Sequence, residues 1–268
     1  MPIGLRYFCN LNFPHKIGIL ERIYGQQLAK NGECWVKTDS RIEWKLDLSD
    51  ATQRWIVYDS YEGKNVTAWI RSLFKDGGIA IESGSNIGQT LLYYADLADR
   101  IIAIDPLKTA LDWLCECKDH NKLSNIEVLN AGLASKKSRL ELQQAGAQST
   151  FRADWYKNKN HKTVTIDCFP LDEIAERFEL SQIRFWKIDV EGMEHEALQG
   201  AVELLSQKRI DAMFIEVTGG NFYKVKNILE TYGYGLFTIN EQLQPIQANS
   251  PLTQHTTVYI SQPYQNEV

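Results

Sequence analysis

The sequence lacks most of what would mark a chain as secreted, membrane-spanning or nucleic-acid-binding. Its five cysteines, Cys9, Cys34, Cys115, Cys117 and Cys168, are odd in number and scattered, which makes no disulfide framework. Cys115 and Cys117 stand one residue apart with no histidine or second cysteine pair to complete a zinc pattern. His15, His120, His161 and His255 stand alone, and no metal is expected. No segment approaches the ~20 apolar residues of a bilayer span. Met1 to Lys16 has no charged start followed by an apolar run, so it does not read as a signal peptide. There is no run of five or more like charges and no arginine-rich tract. With a formal charge of −5, the chain as a whole offers no basic face to nucleic acid or to an anionic membrane. A reduced, cytoplasmic protein is the expectation.

What is present is a globular composition. The chain has 268 residues, 44% of them hydrophobic and 24% charged, enough for one domain of generous size or one domain with an appendage. Ile17, Leu20, Ile23, Tyr24 and Leu28 fall near one helical face. Cys34–Lys37 and the alternating Arg41–Leu48 read as a β-hairpin with Asp39-Ser40 as its turn. Ala51 to Asp59 is aromatic and mixed, and Val66 to Phe74 is helical in pattern. Residues 1–75 therefore read as an N-terminal α+β cap, 76–262 as the main domain and 263–268 as a tail.

From Gly78 onward, short apolar runs alternate with amphipathic stretches. Ile79–Ile81, Ile101–Ile104, Ile126–Leu129, Arg184–Asp189 and Ala212–Ile215 are unbroken in the manner of buried parallel strands. Arg139–Gln143 and Thr163–Asp167 add alternating runs. Ile87, Leu91, Leu92, Ala95 and Ala98 stripe a helix after the first strand. Met193, Ala197, Leu198, Ala201, Leu204 and Leu205 stripe another. Gly235–Ile239 and Thr256–Ile260 follow each other without a helix, as an antiparallel pair closing the sheet. The pattern predicts an α/β fold: a Rossmann-like, doubly wound, mostly parallel seven-stranded sheet with a C-terminal antiparallel pair.

Four core strands end on a carboxylate: Glu82, Asp105, Asp189 and Glu216. In open α/β sheets, ligands bind outside the carboxyl ends of the strands. After the first strand comes the turn Gly84-Ser85-Asn86-Ile87-Gly88, and Asp105 follows Gly88 at about the interval at which an acid meets ribose hydroxyls. A dinucleotide fingerprint needs a third glycine so that pyrophosphate can approach. Here one glycine is missing and Glu82 precedes the turn. A carboxylate repels pyrophosphate but favours an ammonium or sulfonium. That sign argument moves the expectation from NAD toward S-adenosylmethionine.

The same residues resemble those of the FkbM-type methyltransferases. Glu82-Ser83-Gly84-Ser85-Asn86-Ile87-Gly88 is similar to their D-x-G-A-N-x-G, and Ile104-Asp105-Pro106 to their F-E-P. Lys187-Ile188-Asp189-Val190-Glu191-Gly192-Met193-Glu194 is close to their K-x-D-V-E-G-x-E. Departures are Glu82 for Asp, Ser85 for Ala and Asp105 for Glu. The resemblance runs over roughly residues 40 to 220. It implies a class I S-adenosylmethionine-dependent fold and O-methylation of a hydroxyl on a sugar, glycolipid precursor or secondary metabolite. It also implies that Glu82, Gly84, Ser85, Asn86 and Gly88 hold the methionine part of the cofactor. Asp105 would hold the ribose, and Asn130 and Ala131 would lie by the adenine. Asp189 would be nearest cofactor and acceptor. The base for the acceptor hydroxyl lies among Asp189, Glu191 and His195, the last with a pKa ordinarily closest to neutrality. Tyr61, Glu62, Trp155 and Tyr156 are candidates to contact the acceptor. An NAD- or nucleotide-sugar-dependent oxidoreductase and a non-catalytic cofactor-binding module are the alternatives. Oligomeric state is not readable from the pattern.

Overall fold

The first two helices, α1 (Leu5–Cys9) and α2 (Lys16–Ala29), are followed by a hairpin of β1 (Glu33–Lys37) and β2 (Glu43–Asp47) and two more helices, α3 (Ala51–Tyr58) and α4 (Lys64–Leu73). The hairpin is antiparallel, with Trp35 opposite Lys45, and its alternation buries Trp44 and Leu46 completely. Its expected turn, Asp39-Ser40, lies outside the described residues. The computed structural model describes residues 2, 4–11, 13–38, 42–59, 61–146, 148–152, 161–217, 219–239, 245–251 and 257–263. The mixed stretch after the hairpin is a helix because Asp50 caps it, its carboxylate accepting the Thr52 N–H at 2.8 Å. Arg54 on that helix makes a two-point ion pair with Glu21 of α2, and Tyr58 donates to the same carboxylate at 2.8 Å. These bonds tie the N-terminal helices to one another.

Beyond residue 78 the chain runs β3 (Ile79–Ser83), β4 (Arg100–Asp105), α5 (Lys108–His120), β5 (Ile126–Asn130), β6 (Gly132–Leu133), β7 (Ser138–Gln143) and β8 (Thr163–Phe169). It continues through α6 (Leu171–Arg177), β9 (Ile183–Ile188), α7 (Glu194–Gln199), α8 (Val202–Ser206), β10 (Ile210–Val217), α9 (Phe222–Thr231), β11 (Tyr234–Ile239), β12 (Pro245–Gln247) and β13 (Thr257–Pro263). The central sheet has the order β12-β11-β13-β10-β9-β3-β4-β5. Strands β10, β9, β3, β4 and β5 are parallel, and β13 returns antiparallel to β10 and pairs β11. This is the expected doubly wound, mostly parallel sheet of seven strands, with the three-residue β12 added at its edge.

Alternation along the strands supplies a core on each face. Ala80, Ile101, Ala103, Phe185 and Phe214 face α4, α5 and the N-terminal elements; Ile81, Ile102, Trp186, Met213 and Ile215 face α6 to α9. The N-terminal side chains Trp44, Leu46, Ile56 and Phe74 belong to the first of these clusters, so the core runs without a break across residue 75.

Arg139–Gln143 and Thr163–Asp167 are strands and pair with each other in a separate sheet of order β6-β8-β7. Two local expectations are corrected. No α-helix follows β3: the stripe from Ile87 to Ala98 is a chain of turns around a 3-10 segment at Leu91–Tyr93. Asn86 and Gly88 have φ of 46° and 87°, outside the helical region, so the coil starts late and its apolar residues pack from successive turns. The single stripe from Met193 to Leu205 is two helices, α7 and α8, broken at Gly200. A side chain there would lie 2.4 Å from the carbonyl oxygen of Ala134, and the Asp172 carboxylate accepts the N–H groups of Glu203 and Leu204 that start α8. Among the described residues no helix is long and apolar enough to cross a membrane.

Candidate functional site

The sheet reverses its winding at β3, with β4 on one side and β9 on the other. That is the switch point where α/β sheets open a crevice. The turn after β3 is stapled across it. Gly84 N–H and Ser85 N–H both donate to the Ile104 carbonyl, at 2.9 and 3.1 Å, and Asp189 N–H donates to the Ser83 carbonyl at 3.0 Å. Gly84 has φ of 80°, and a Cβ on it would fall 1.7 Å from the Asp189 carbonyl oxygen. No other residue fits. Asp105, almost fully buried, braces the same turn: its two oxygens accept Asn86 N–H and Leu107 N–H, each at 2.8 Å. Burial raises its carboxyl to about 6 against those two donors.

A cavity of about 470 Å³ opens over these strand ends, within the range of ligand sites, roughly 300–1,000 Å³. Gly84, Asn86, Gln89, Asp105, Asp189 and Glu216 form its floor. Asp50, Thr52, Trp55 and Tyr61 close one side, and Ala131, Leu133, Phe151 and Met193 the other. Its wall includes Asp50, Asp105, Asp189, Glu191 and Glu216 and, among the described residues, no lysine, arginine or histidine.

The positive charge that answers these acids sits behind the wall. Lys187 is fully buried and lies 2.8 Å from Asp189 Oδ2 and 3.8 Å from Glu62 Oε1. Burial works against its charge, yet Asp189, Glu62 and Glu82 hold it protonated well above the ordinary lysine range. Glu62 also accepts from Thr90 at 2.9 Å. Glu216 stands near Asp189, and burial, then the Asp189 charge, pushes it up to about 9. Burial likewise raises Glu191 to about 7. Glu194, raised to about 7 mainly by burial, braces the loop by accepting Gly192 N–H at 2.7 Å and Asn221 Nδ2 at 2.9 Å.

Several residues singled out in the sequence take different places. Glu82 does not line the cavity. It is fully buried behind the turn, accepts from Tyr94 at 2.8 Å, and the ammonium it faces is that of Lys187; burial raises it to about 8. Gly88 packs on α5, where a Cβ would meet Leu114 at 2.7 Å. Ser85 is buried beneath the turn with its hydroxyl unpartnered. Asn130 bonds the carbonyls of Asp105 and Pro106, each at 2.9 Å, while Ala131 lines the cavity. Tyr61 lines it as well, and Glu62 reaches inward to Lys187. His195 is half-buried in the first turn of α7, away from the lining residues. Trp155 and Tyr156 lie outside the described residues. The wall residues Asp50, Thr52 and Trp55 were not legible as site residues, because α3 itself was not; Asp50 three residues after Asp47 was the available signal. A second cavity, of about 550 Å³, lies between α1, α3 and α4. In its lining Lys64 pairs with Asp59 and Arg71 with Asp96.

Fold and cavity together are those of a Rossmann-like class I methyltransferase. The methyltransferase FkbM domain matches residues 82–236, more than half of the chain, and the protein belongs to the FkbM methyltransferase family. The chain is similar to a methyltransferase FkbM of Methylobacillus flagellatus KT at 18% identity and a TM-score of 0.48. That alignment covers 69% of this chain and 44% of the other, so the chain spans under half of that relative's length. It is also similar to an rRNA methylase of Streptococcus thermophilus (14% identity, TM-score 0.42, 75% of this chain and 95% of the other). A third likeness is to M. jannaschii TYW2 in complex with AdoMet (14% identity, TM-score 0.43, 86% and 84%). No curated protein matches the chain.

The cofactor of the family is S-adenosylmethionine, and the residues present fit it. The turn approaches Asp189 so closely at Gly84 that only bare backbone can line it. Among the described residues the wall offers carboxylates and no cation to a group of positive charge. Ile104, Leu107, Ala131, Leu133 and Phe151 give an apolar surface beside Asp105.

Proposed function

We propose that the protein transfers a methyl group to a hydroxyl oxygen of a small molecule or glycan: a sugar, a glycolipid precursor or a secondary metabolite. The observation that carries this reading is the split of the strand-end groups about the switch point. Asp105 and the Gly84 turn lie on the β3–β4 side, and Asp189 and Glu216, both in the cavity wall, lie on the β9–β10 side. Adjacent strands are about 4.8 Å apart, so Asp105 and Glu216, three strands apart, are separated by roughly 14 Å, room for a donor and an acceptor end to end.

When bound, S-adenosylmethionine supplies a methyl group on a sulfonium. Gly84 and Asn86 would hold its amino-acid part, Asp105 its ribose hydroxyls, and Ala131, Leu133 and Phe151 its adenine. Asp189 is the base in this reading: it faces the cavity, and Lys187 at 2.8 Å orients it. As the methyl group leaves the sulfonium for the acceptor oxygen, the acceptor's proton would pass to the Asp189 carboxylate, with Glu216 beside it. Holding the two reactants in line supplies much of the acceleration, and a positioned base a further ~100- to 10,000-fold. Trp55 and Tyr61 offer aromatic faces to a sugar ring. Glu191, in the wall, supports Asp189; His195, set away from it, is the lesser candidate. Residues 1–75 act as a cap that closes the acceptor side, in a cytoplasmic enzyme.

Calorimetry with S-adenosylhomocysteine tests the donor half. Wild type binds and Asp105→Ala loses at least about tenfold in affinity, ~1.4 kcal/mol. Full binding by that variant refutes the ribose assignment. Transfer of labelled methyl to a panel of hydroxylated metabolites and glycans tests the acceptor half. Asp189→Ala should abolish transfer while keeping cofactor affinity, and undiminished transfer by it refutes Asp189 as base.

A further inference from the structure

The N-terminal helices carry a surface unlike the rest of the molecule. Among the described residues, eight large apolar side chains are exposed, and five of them, Tyr7, Phe8, Leu11, Ile19 and Ile23, fall in α1, α2 and the link between them. Tyr7 is 68% exposed and Ile23 62%. Ile19 and Ile23 are one helical turn apart on α2, on the face that also presents Arg22, Gln26 and Lys30. The two helices meet at Gly4, where an added Cβ would lie 3.7 Å from the Tyr24 hydroxyl and 3.9 Å from the Phe8 ring.

The charge of this segment is reversed relative to the chain. Residues 1–31 contain Arg6, Lys16, Arg22 and Lys30 against the single acid Glu21, a formal +3 in a chain of −5. Glu21 is turned inward and consumed by Arg54 and Tyr58, and Lys16 is buried beside Asp59, whereas Arg22 and Lys30 are exposed. The global charge argued against an anionic membrane; the local charge argues for one. An exposed apolar strip flanked by cations, on a helix too short to span, has the composition of an element that lies in the headgroup region.

We propose that α1 and α2 form a membrane-docking face for an anionic bilayer, on which the enzyme rests while its cavity stays in water. Tyr7, Phe8, Ile19 and Ile23 enter the interface, and Arg22 and Lys30 meet acidic headgroups. The face is separate from the cofactor cavity, so the proposal stands or falls independently of the acceptor.

Co-sedimentation with vesicles tests it, using phosphatidylcholine alone and phosphatidylcholine with a minority of phosphatidylglycerol. The wild-type protein should pellet with the anionic vesicles, much less with the neutral ones, and be released by salt. Arg22→Glu/Lys30→Glu should weaken binding roughly fivefold or more per charge replaced, and Ile19→Ser/Ile23→Ser should abolish it. Both double variants change exposed positions and should keep wild-type circular dichroism and S-adenosylhomocysteine affinity. Absence of binding by folded wild type, or binding unchanged in both variants, overturns the proposal. So does a wild-type dimer in solution that Ile19→Ser/Ile23→Ser splits, since a second copy would then cover the face.

Discussion

Gly84→Ala is the sharpest single perturbation of the cofactor turn. At φ 80° the backbone sits in the left-handed region, which costs a residue with a Cβ about 1–2 kcal/mol. The new methyl would lie 1.7 Å from the Asp189 carbonyl oxygen, where ordinary contact begins at 3.4 Å. The turn and the end of β9 must therefore separate by more than an ångström. Asp189 N–H to Ser83 O at 3.0 Å links them, and Gly84 N–H to Ile104 O at 2.9 Å ties the turn to β4; losing both costs about 1 kcal/mol each. The expected destabilisation is about 3–4 kcal/mol, well inside the 5–15 kcal/mol typical of a folded domain. The variant should fold, but with Asp105 and Asp189 out of register. Urea denaturation measures the first effect, and calorimetry with S-adenosylhomocysteine the second, as a fall of at least about tenfold, ~1.4 kcal/mol. A variant within about 1 kcal/mol of wild type that also binds normally would refute the close-approach argument.

Two further predictions concern the buried charges. Lys187→Met leaves Asp189, Glu62 and Glu82 without their cation, and removing one partner of a buried pair costs about 3–5 kcal/mol. Urea unfolding at acidic and neutral pH should show a smaller loss at acidic pH, where the carboxyls protonate; a loss under about 1 kcal/mol at both would exclude the pairing. Burial raises the folded-state values of Glu82 to about 8 and of Glu191 and Glu194 to about 7, above their unfolded range near 4.5. Their protonated forms therefore stabilise the fold fully below that range, and the contribution fades as pH rises through 7 to 8. The slope is on the order of 1.4 kcal/mol per pH unit for each group still protonated in the fold. The thermal midpoint of the cofactor-free protein should fall between about pH 6 and pH 8; a flat or rising midpoint contradicts the burial of these acids as neutral groups.

The sheet was readable because its central strands are buried on both faces and therefore appear as uninterrupted runs such as Ile101-Ile102-Ala103-Ile104. The strand-end acids were readable for the same reason, since Glu82, Asp105 and Glu216 are each the first charge after such a run. Local periodicity misled where several backbones bury the same residues. Leu91, Leu92 and Ala95 are equally buried by a 3-10 turn and by a helix. The partners of Glu82 and Glu62 were not readable, because they are distant in sequence. Glu82 bonds Tyr94 and lies in the field of Lys187, and Glu62 crosses from the N-terminal segment to the same lysine. A carboxylate that seemed to await a cationic ligand was already facing the protein's own ammonium.

That contact between Glu62 and Lys187 bears on how such a protein can change over evolution. The N-terminal segment is joined to the FkbM domain by a charge sunk in the interior as well as by an apolar seam. A chimera that kept residues 82–236 and borrowed another N-terminal segment would inherit the lysine together with Asp189, Glu82 and Glu216, but not the carboxylate that completes the set. Recombination at that boundary is therefore constrained to donors that bring an acid to the position of Glu62. The two parts should be inherited together, and a diversity of acceptors should arise through substitutions around Trp55 and Tyr61 more readily than through exchange of the whole segment.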